Sequence, residues 1–458
     1  RFVVDPPLFF NKPHYPDSTK IVDGKDTTVY RKDAFYPANS KGLVHVDFYW
    51  HYQIVNVTVY PFLYNPVRQS LKKLVGGSIE VSFENKTSVL SGTAKAPIAR
   101  VEAELRKTVA NPEVLERYGT ASVPSAPSLS PPPAAAVAYA IITTQAIYSS
   151  CKSEIDAYAT HLVNHDGYDP LNVRIVTEGS VESSNTWEDA TDAQERALNI
   201  RQWLINHASA DWNVLLIGDP SPKTGDVPMT LMGSGNHYFG TDYFYGDLTA
   251  DWGDPDAVCQ EITVGRIPVY GASDHDRLKA FLQRTIDYKT GNPDWRRFAL
   301  IPIVPCFSIG TRDFDVGELG VISLLEPNGW ECRRLYEPYS YAGFFGIHPH
   351  VANKDPLPEV PFCDVSIVVE NWNRYTPGLV VWHTHGWMNK AQNVMNTFNT
   401  PLLPQNYPAI VFAGSCRNSH AQTPGNLGTE VLYNSAIAFV GGTEDLLGYQ
   451  IHNITPLF

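Results

Sequence analysis

Leu379-Val380-Val381-Trp382-His383-Thr384-His385-Gly386 and Pro408-Ala409-Ile410-Val411-Phe412-Ala413-Gly414-Ser415-Cys416-Arg417-Asn418 decide the reading of this chain. Each is an unbroken apolar run, which reads as a strand buried on both faces and implies a parallel sheet covered by helices. Ligands of such sheets bind beyond the carboxyl ends of the strands, and there each run ends in a reactive side chain. Cys416 follows His385 by 416 − 385 = 31 residues, about what one crossover between neighbouring parallel strands needs. Cys416 and His385 are therefore expected to meet at one sheet edge.

A thiol with a pKa of about 8.5 is mostly protonated at neutral pH, and a nearby imidazole raises the thiolate fraction and later protonates a leaving amine. Gly386, lacking a Cβ, lets a substrate backbone come close, and its N–H together with that of Cys416 suits an oxyanion hole. Taken singly, Cys416 reads as a buried inert thiol and His385 as a hydrogen-bonded structural histidine. The pair at adjacent strand ends, with Gly386 in place, reverses that reading.

Here the chain resembles the gingipain-like cysteine peptidases of family C25, which share a caspase-like fold with caspases and legumain. The resemblance rests on His385-Gly386 after one strand and Ser415-Cys416-Arg417-Asn418 after the next. Gly428-Thr429-Glu430-Val431-Leu432-Tyr433 followed by Ala436 to Gly442 is similar to the family's helix and next strand, and Thr241 to Leu248 leading to Val264-Gly265-Arg266-Ile267-Pro268 looks like another of its signatures. It spans roughly residue 137 to the end. It implies a cysteine endopeptidase made as a zymogen, with Cys416 and His385 catalytic and Gly386 and Cys416 supplying the oxyanion N–H groups.

A chain of 458 residues, 43% hydrophobic, is long enough for two or three domains with ordinary cores. No apolar stretch approaches membrane-spanning length, and a formal charge of −13 with no basic run argues against nucleic acid as a partner. The chain opens on Arg1, which fits a removed leader and fits a fragment equally. Six cysteines show no metal-type spacing; with Cys416 as nucleophile, the other five allow at most two disulfides. Sequons at Asn56, Asn85 and Asn453 are compatible with a secreted or cell-surface protein.

Residues 123–136 are rich in Pro, Ser and Ala and read as a linker. Before it, residues 1–122 show strand-like alternation over Leu43–His51, Ile54–Tyr60 and Ser78–Phe83, a small β-rich, sandwich-like domain. Its Pro61-Phe62-Leu63-Tyr64-Asn65-Pro66 resembles a segment of gingipain propeptides, which implies a prodomain acting as the enzyme's own inhibitor; a permanent β-sandwich accessory domain is the alternative. Arg100 to Arg117 reads as helical, with Arg106, Lys107 and Arg117 as candidate cleavage points. After the linker, residues 137–458 alternate strands and helices, an α/β domain with room for two side-by-side subdomains, 137–290 and 291–458. Thr191 with Gln194 and Ser273 with Asp276 read as capping boxes opening helices, the first with an apolar stripe of Ala197, Ile200, Leu204 and Ile205. Pro302 in the run Phe298 to Val304 favours an edge strand or a bulge.

The acidic stretch Asp242, Asp247, Asp251, Asp254 and Asp256 carries three readings. It is a solvated loop, or Asp247, Asp251 and Asp254 hold a structural Ca²⁺ without the regular EF-hand spacing, or a carboxylate reads a basic substrate side chain. By resemblance to arginine-specific gingipains the last would be Asp256, ahead of Gly265-Arg266, so a basic P1 preference is expected. Triad logic calls for a third group to orient the histidine, and Asp242 and Asp247 are candidates. His383 is a rival base, two residues before His385, and Trp387 is a candidate lining residue of the substrate cleft. No cofactor is required for the chemistry; the partners are protein or peptide substrates. The alternatives are a catalytically silent surface or structural binding protein on the same scaffold, and a transpeptidase, since an acyl-thioenzyme can also pass its acyl group to an amine.

Overall fold

The computed structural model describes residues 2–4, 21–22, 25–26, 30–49, 52–76, 105–107, 109–117, 139–179, 187–208, 212–234, 237–248, 260–291, 294–304, 306, 316–322, 325–337 and 363–445. The chain divides into two compact units: residues 1–134 with 209–211 and 249–262, and residues 135–208, 212–248 and 263–458.

In the first unit, Phe2–Val4, Tyr52–Val59 and Lys41–Tyr49 form an antiparallel sheet with Tyr52–Val59 in the middle. Phe62–Asn65 and Ser70–Lys73 make a hairpin. Buried Asn65 shapes its turn, accepting from the Val67 and Arg68 N–H groups and donating to Asp33. The expected strand at Ser78–Phe83 lies outside the described residues. Within Arg100–Arg117 the described structure is a short turn at 105–107 and a 3₁₀ helix over Pro112–Arg117, not one continuous helix.

The second unit holds two parallel sheets. The first is built from β1 (Tyr139–Ile142), β2 (Val173–Val176), β3 (Asn213–Gly218) and β4 (Thr263–Pro268), in the order β4-β3-β1-β2. Helices α1 (Lys152–Asp166), α2 (Ala193–His207) and α3 (His275–Thr290) follow its strands. The second sheet is built from β5 (Phe298–Ile303), β6 (Glu331–Tyr336), β7 (Leu379–His383), β8 (Ala409–Gly414) and β9 (Ala436–Gly441), ordered β6-β5-β7-β8-β9, with helices α4 (Val365–Tyr375) and α5 (Leu427–Ser435). The order turns back between β5 and β7, a switch point of the kind at whose carboxyl end α/β sheets bind ligands.

The apolar runs of β7 and β8 feed two cores at once. Val380, Trp382, Val411 and Ala413 pack with Val368 and Trp372 of α4 and Leu427 and Val431 of α5. Val381 and Phe412, on the other face, pack with Ile301, Ile303, Val321 and Ile322. Burial on both faces explains why these strands carry no polar alternation. The two sheets are joined through α5, whose Leu432 and Tyr433 enter the core formed by Leu278, Phe281 and Leu282 of α3 and Ile267 of β4.

Four local expectations are corrected. The cap of α2 is Asp192, which accepts from the Glu195 N–H, while Glu195 reaches back to the Thr191 N–H and hydroxyl; the box is displaced by one residue because the carboxylate of Glu195 outcompetes the amide of Gln194. In that helix Trp203 is buried and Ile205 exposed. Helix α3 starts at His275 out of a 3₁₀ turn, with Asp274 bound to the Tyr270 N–H instead of a box at Ser273. Strand β5 lies between β6 and β7 although it contains Pro302; its register with β7 skips Ile301 and Pro302, where the missing N–H interrupts the ladder.

Candidate active site

The last ladder step between β7 and β8 sets His383 opposite Gly414, and the Thr384 N–H donates to the Gly414 carbonyl at 3.1 Å. Both chains then turn, so residues 385 and 416 emerge side by side beyond the sheet. The His385 side runs into a small antiparallel meander, Gly386–Trp387, Lys390–Ala391 and Met395–Asn396. The Gln392 N–H donates to the His385 carbonyl at 2.8 Å. That makes 385 and 392 the hydrogen-bonded pair and Gly386 and Ala391 the non-bonded one, so the Gly386 N–H points out of the ladder.

Gly386 presses directly on the other turn. A Cβ built on it would lie 2.2 Å from the Cys416 carbonyl oxygen and 2.4 Å from the Cys416 nitrogen. No side chain fits there. The Cys416 turn is held in shape by Arg417, which takes a left-handed φ of 55°, and by the Arg417 and Ser419 N–H groups donating to the Glu444 and Gly442 carbonyls.

The His385 ring is exposed, and its Nε2 lies 2.9 Å from the carbonyl of Cys306, just past the end of β5. A carbonyl can only accept, so Nε2 carries the hydrogen and Nδ1 is the basic nitrogen of the neutral ring. His385 thus sits over the switch point. His383 is 0% exposed inside the sheet; β7 stops at that residue, so the two histidines do not share a strand face. Cys416 is partly exposed, whereas burial pushes the thiols of Cys151 and Cys363 up. Both of those are reduced.

Asp242 gives both carboxylate oxygens to Arg266, at 2.7 Å from Nε and Nη2. The side chains are 18% and 6% exposed, and Arg266 also donates to the Val227 carbonyl. Asp247 is buried at the end of the short helix Tyr243–Gly246, its carbonyl accepting from Arg201. Asp251, Asp254 and Asp256 lie outside the described residues. Among the described residues no three His, Cys, Asp or Glu side chains gather in a way that could hold a metal ion, and no helix is long and apolar enough to cross a membrane. Trp387 is half exposed beside Gly386, with the Arg417 guanidinium 5.5 Å from its ring centre; Arg417 in turn pairs with Glu444 and Asp445. The Cys306 carbonyl and the polar contacts of Ser415 and Asn418 were not anticipated from sequence.

A family model described as peptidase family C25 matches residues 133–455. The chain belongs to peptidase family C25. Among solved structures it is similar to the Arg-specific cysteine proteinase gingipain R (RgpB), with 16% identity, TM-score 0.49, and coverage of 68% of this chain and 63% of that one. It is also similar to the complex of Porphyromonas gingivalis RgpB pro- and mature domains, with 15% identity, TM-score 0.51, and coverage of 69% and 66%. At that identity the likeness to the second is one of fold. The chain thus spans less than two thirds of the length of these gingipain structures. No curated protein matches it significantly.

Proposed function

We propose that the chain is a cysteine endopeptidase with Cys416 as nucleophile and His385 as its base. The observation that carries this reading is the contact of Gly386 with the Cys416 backbone, a spacing that leaves no room for even one methyl group between the turns bearing the two side chains. In the mechanism, the Cys416 thiol proton passes to His385 Nδ1 and the thiolate adds to the scissile carbonyl carbon. The N–H groups of Cys416 and Gly386 stabilise the oxyanion. Collapse breaks the C–N bond as the imidazolium protonates the departing amine. Water then attacks the thioester, giving its proton to His385, and the acid leaves as the thiol is restored. In this reading the Cys306 carbonyl, in place of Asp242 or Asp247, fixes the ring and its tautomer, the role a carboxylate has in a Ser-His-Asp triad.

The finer parts of the reading are a secreted zymogen restrained by residues 1–122, a basic P1 preference through Asp256, and a structural Ca²⁺ on the 242–256 loop. They are supported by the propeptide-like Pro61 to Pro66 segment and the acidic composition of that loop.

The test is labelling with peptidyl acyloxymethyl ketones carrying Arg, Lys, Asn or Asp at P1, with intact mass as readout. The expected result is a single adduct, fastest with Arg or Lys, absent in Cys416→Ala and strongly slowed in His385→Ala. Cleavage of the 123–136 linker and added calcium are expected to speed it. No adduct in any arm would favour a binding protein built on the scaffold.

A further inference from the structure

Asn418 is fully buried two residues past Cys416. Its Nδ2 lies 2.7 Å from the Trp387 carbonyl and 3.1 Å from the Lys390 carbonyl, which flank the tip of the turn that starts at His385-Gly386. The Cys416 carbonyl, at 3.3 Å, shares one of the same hydrogens. The Asn418 Oδ1 accepts from the Ser415 hydroxyl, and that hydroxyl accepts from Trp382 Nε1 at 2.9 Å. Carbonyls only accept, so the orientation of the amide is fixed by its surroundings.

These bonds form one line from β7 through the end of β8 into both turns. The main chain repeats the connection at the first turn of α5: the Leu427 N–H donates to the Met388 carbonyl at 2.7 Å, and the Gly428 N–H to the Asn418 carbonyl at 2.8 Å. Helix-end N–H groups with no partner in their own helix thus hold both turns.

We propose that Asn418 is a positioning residue that keeps the His385 turn against the Cys416 turn, so that imidazole and thiol stay in reach of each other; this rests on the peptidase reading above. The site calls for two N–H donors on one side and one acceptor on the other, which an amide supplies. A carboxylate at 418 would turn a negative charge on two carbonyl oxygens, and alanine would take the amide donor from those carbonyls and the acceptor from the Ser415 hydroxyl.

The experiment measures iodoacetamide alkylation at the Cys416 peptide against pH, together with kinact and KI for the best acyloxymethyl ketone. It compares the wild type with Asn418→Ala, Asn418→Asp, Ser415→Ala and His385→Ala. The expected result for Asn418→Ala is an alkylation profile moved toward that of His385→Ala and a kinact about 10- to 100-fold lower, the scale of a misplaced catalytic group. KI is expected to stay within about threefold, because binding is not what the clamp provides. Asn418→Asp should be at least as impaired. A wild-type profile and kinact in Asn418→Ala would overturn the proposal. Should that variant fail to fold, Ser415→Ala decides: a smaller change in the same direction supports the clamp, and an unchanged kinact overturns it. A wild-type profile indistinguishable from that of His385→Ala would instead sink the dyad, and the clamp with it.

Discussion

A methyl group on Gly386 has nowhere to go, because the atoms it would meet are backbone on both sides of Cys416. Gly386→Ala is therefore expected to push the two turns apart, abolishing probe labelling and lowering stability by about 1–3 kcal/mol, as overpacking does; labelling together with thermal unfolding checks both. The same residue shows what a sequence can convey at this scale. The meeting of the His385-Gly386 turn with the Cys416 turn was legible, because both stand at the ends of two recognisable strands. The Cys306 carbonyl was not, since every residue has a carbonyl and this one lies 79 positions from the histidine it meets. Asn418 belongs to the Ser415–Asn418 motif, but its work depends on where four other groups converge, which spacing alone does not encode. Asp242 is a candidate in the sequence for orienting the histidine; the partner that claims it, Arg266, comes from the next strand.

At the level of elements that ion pair ties the segment ahead of the short helix Tyr243–Gly246 to β4. Removing one partner of a buried pair strands the other charge, so Asp242→Asn should cost about 3–5 kcal/mol in chemical denaturation. Labelling of the folded fraction should stay at the wild-type rate, whereas a triad member would lose it. The parallel strands were readable from their unbroken apolar character, which two-sided burial requires. Caps and edges were less so. Glu195 and Gln194 offer rival acceptors one residue apart, and charge decides between them. Pro302 signals an edge or a bulge; the strand is interior and accommodates it by leaving out ladder contacts with one neighbour.

Across the second unit, the two sheets share α5. Arg284 of α3 donates to the Leu432, Tyr433 and Ala436 carbonyls at the end of that helix, and Tyr433 packs edge-on against Phe281. Arg284→Ala should leave those carbonyls unpaired and destabilise the unit by about 1–3 kcal/mol. Unfolding should remain a single transition seen alike by probes in either sheet; two separated transitions would show independent halves. The alternation of strands and helices made an α/β unit readable and its length left room for two sheets, but nothing in the segment Gly428 to Tyr433 told which cores its helix would enter. One end of α5 holds the turns that bear His385 and Cys416, and its flank lies in the core of the opposite sheet. A protease nick between α3 and β5 would thus leave two fragments that stay associated and keep a working site, while neither fragment expressed alone would have one.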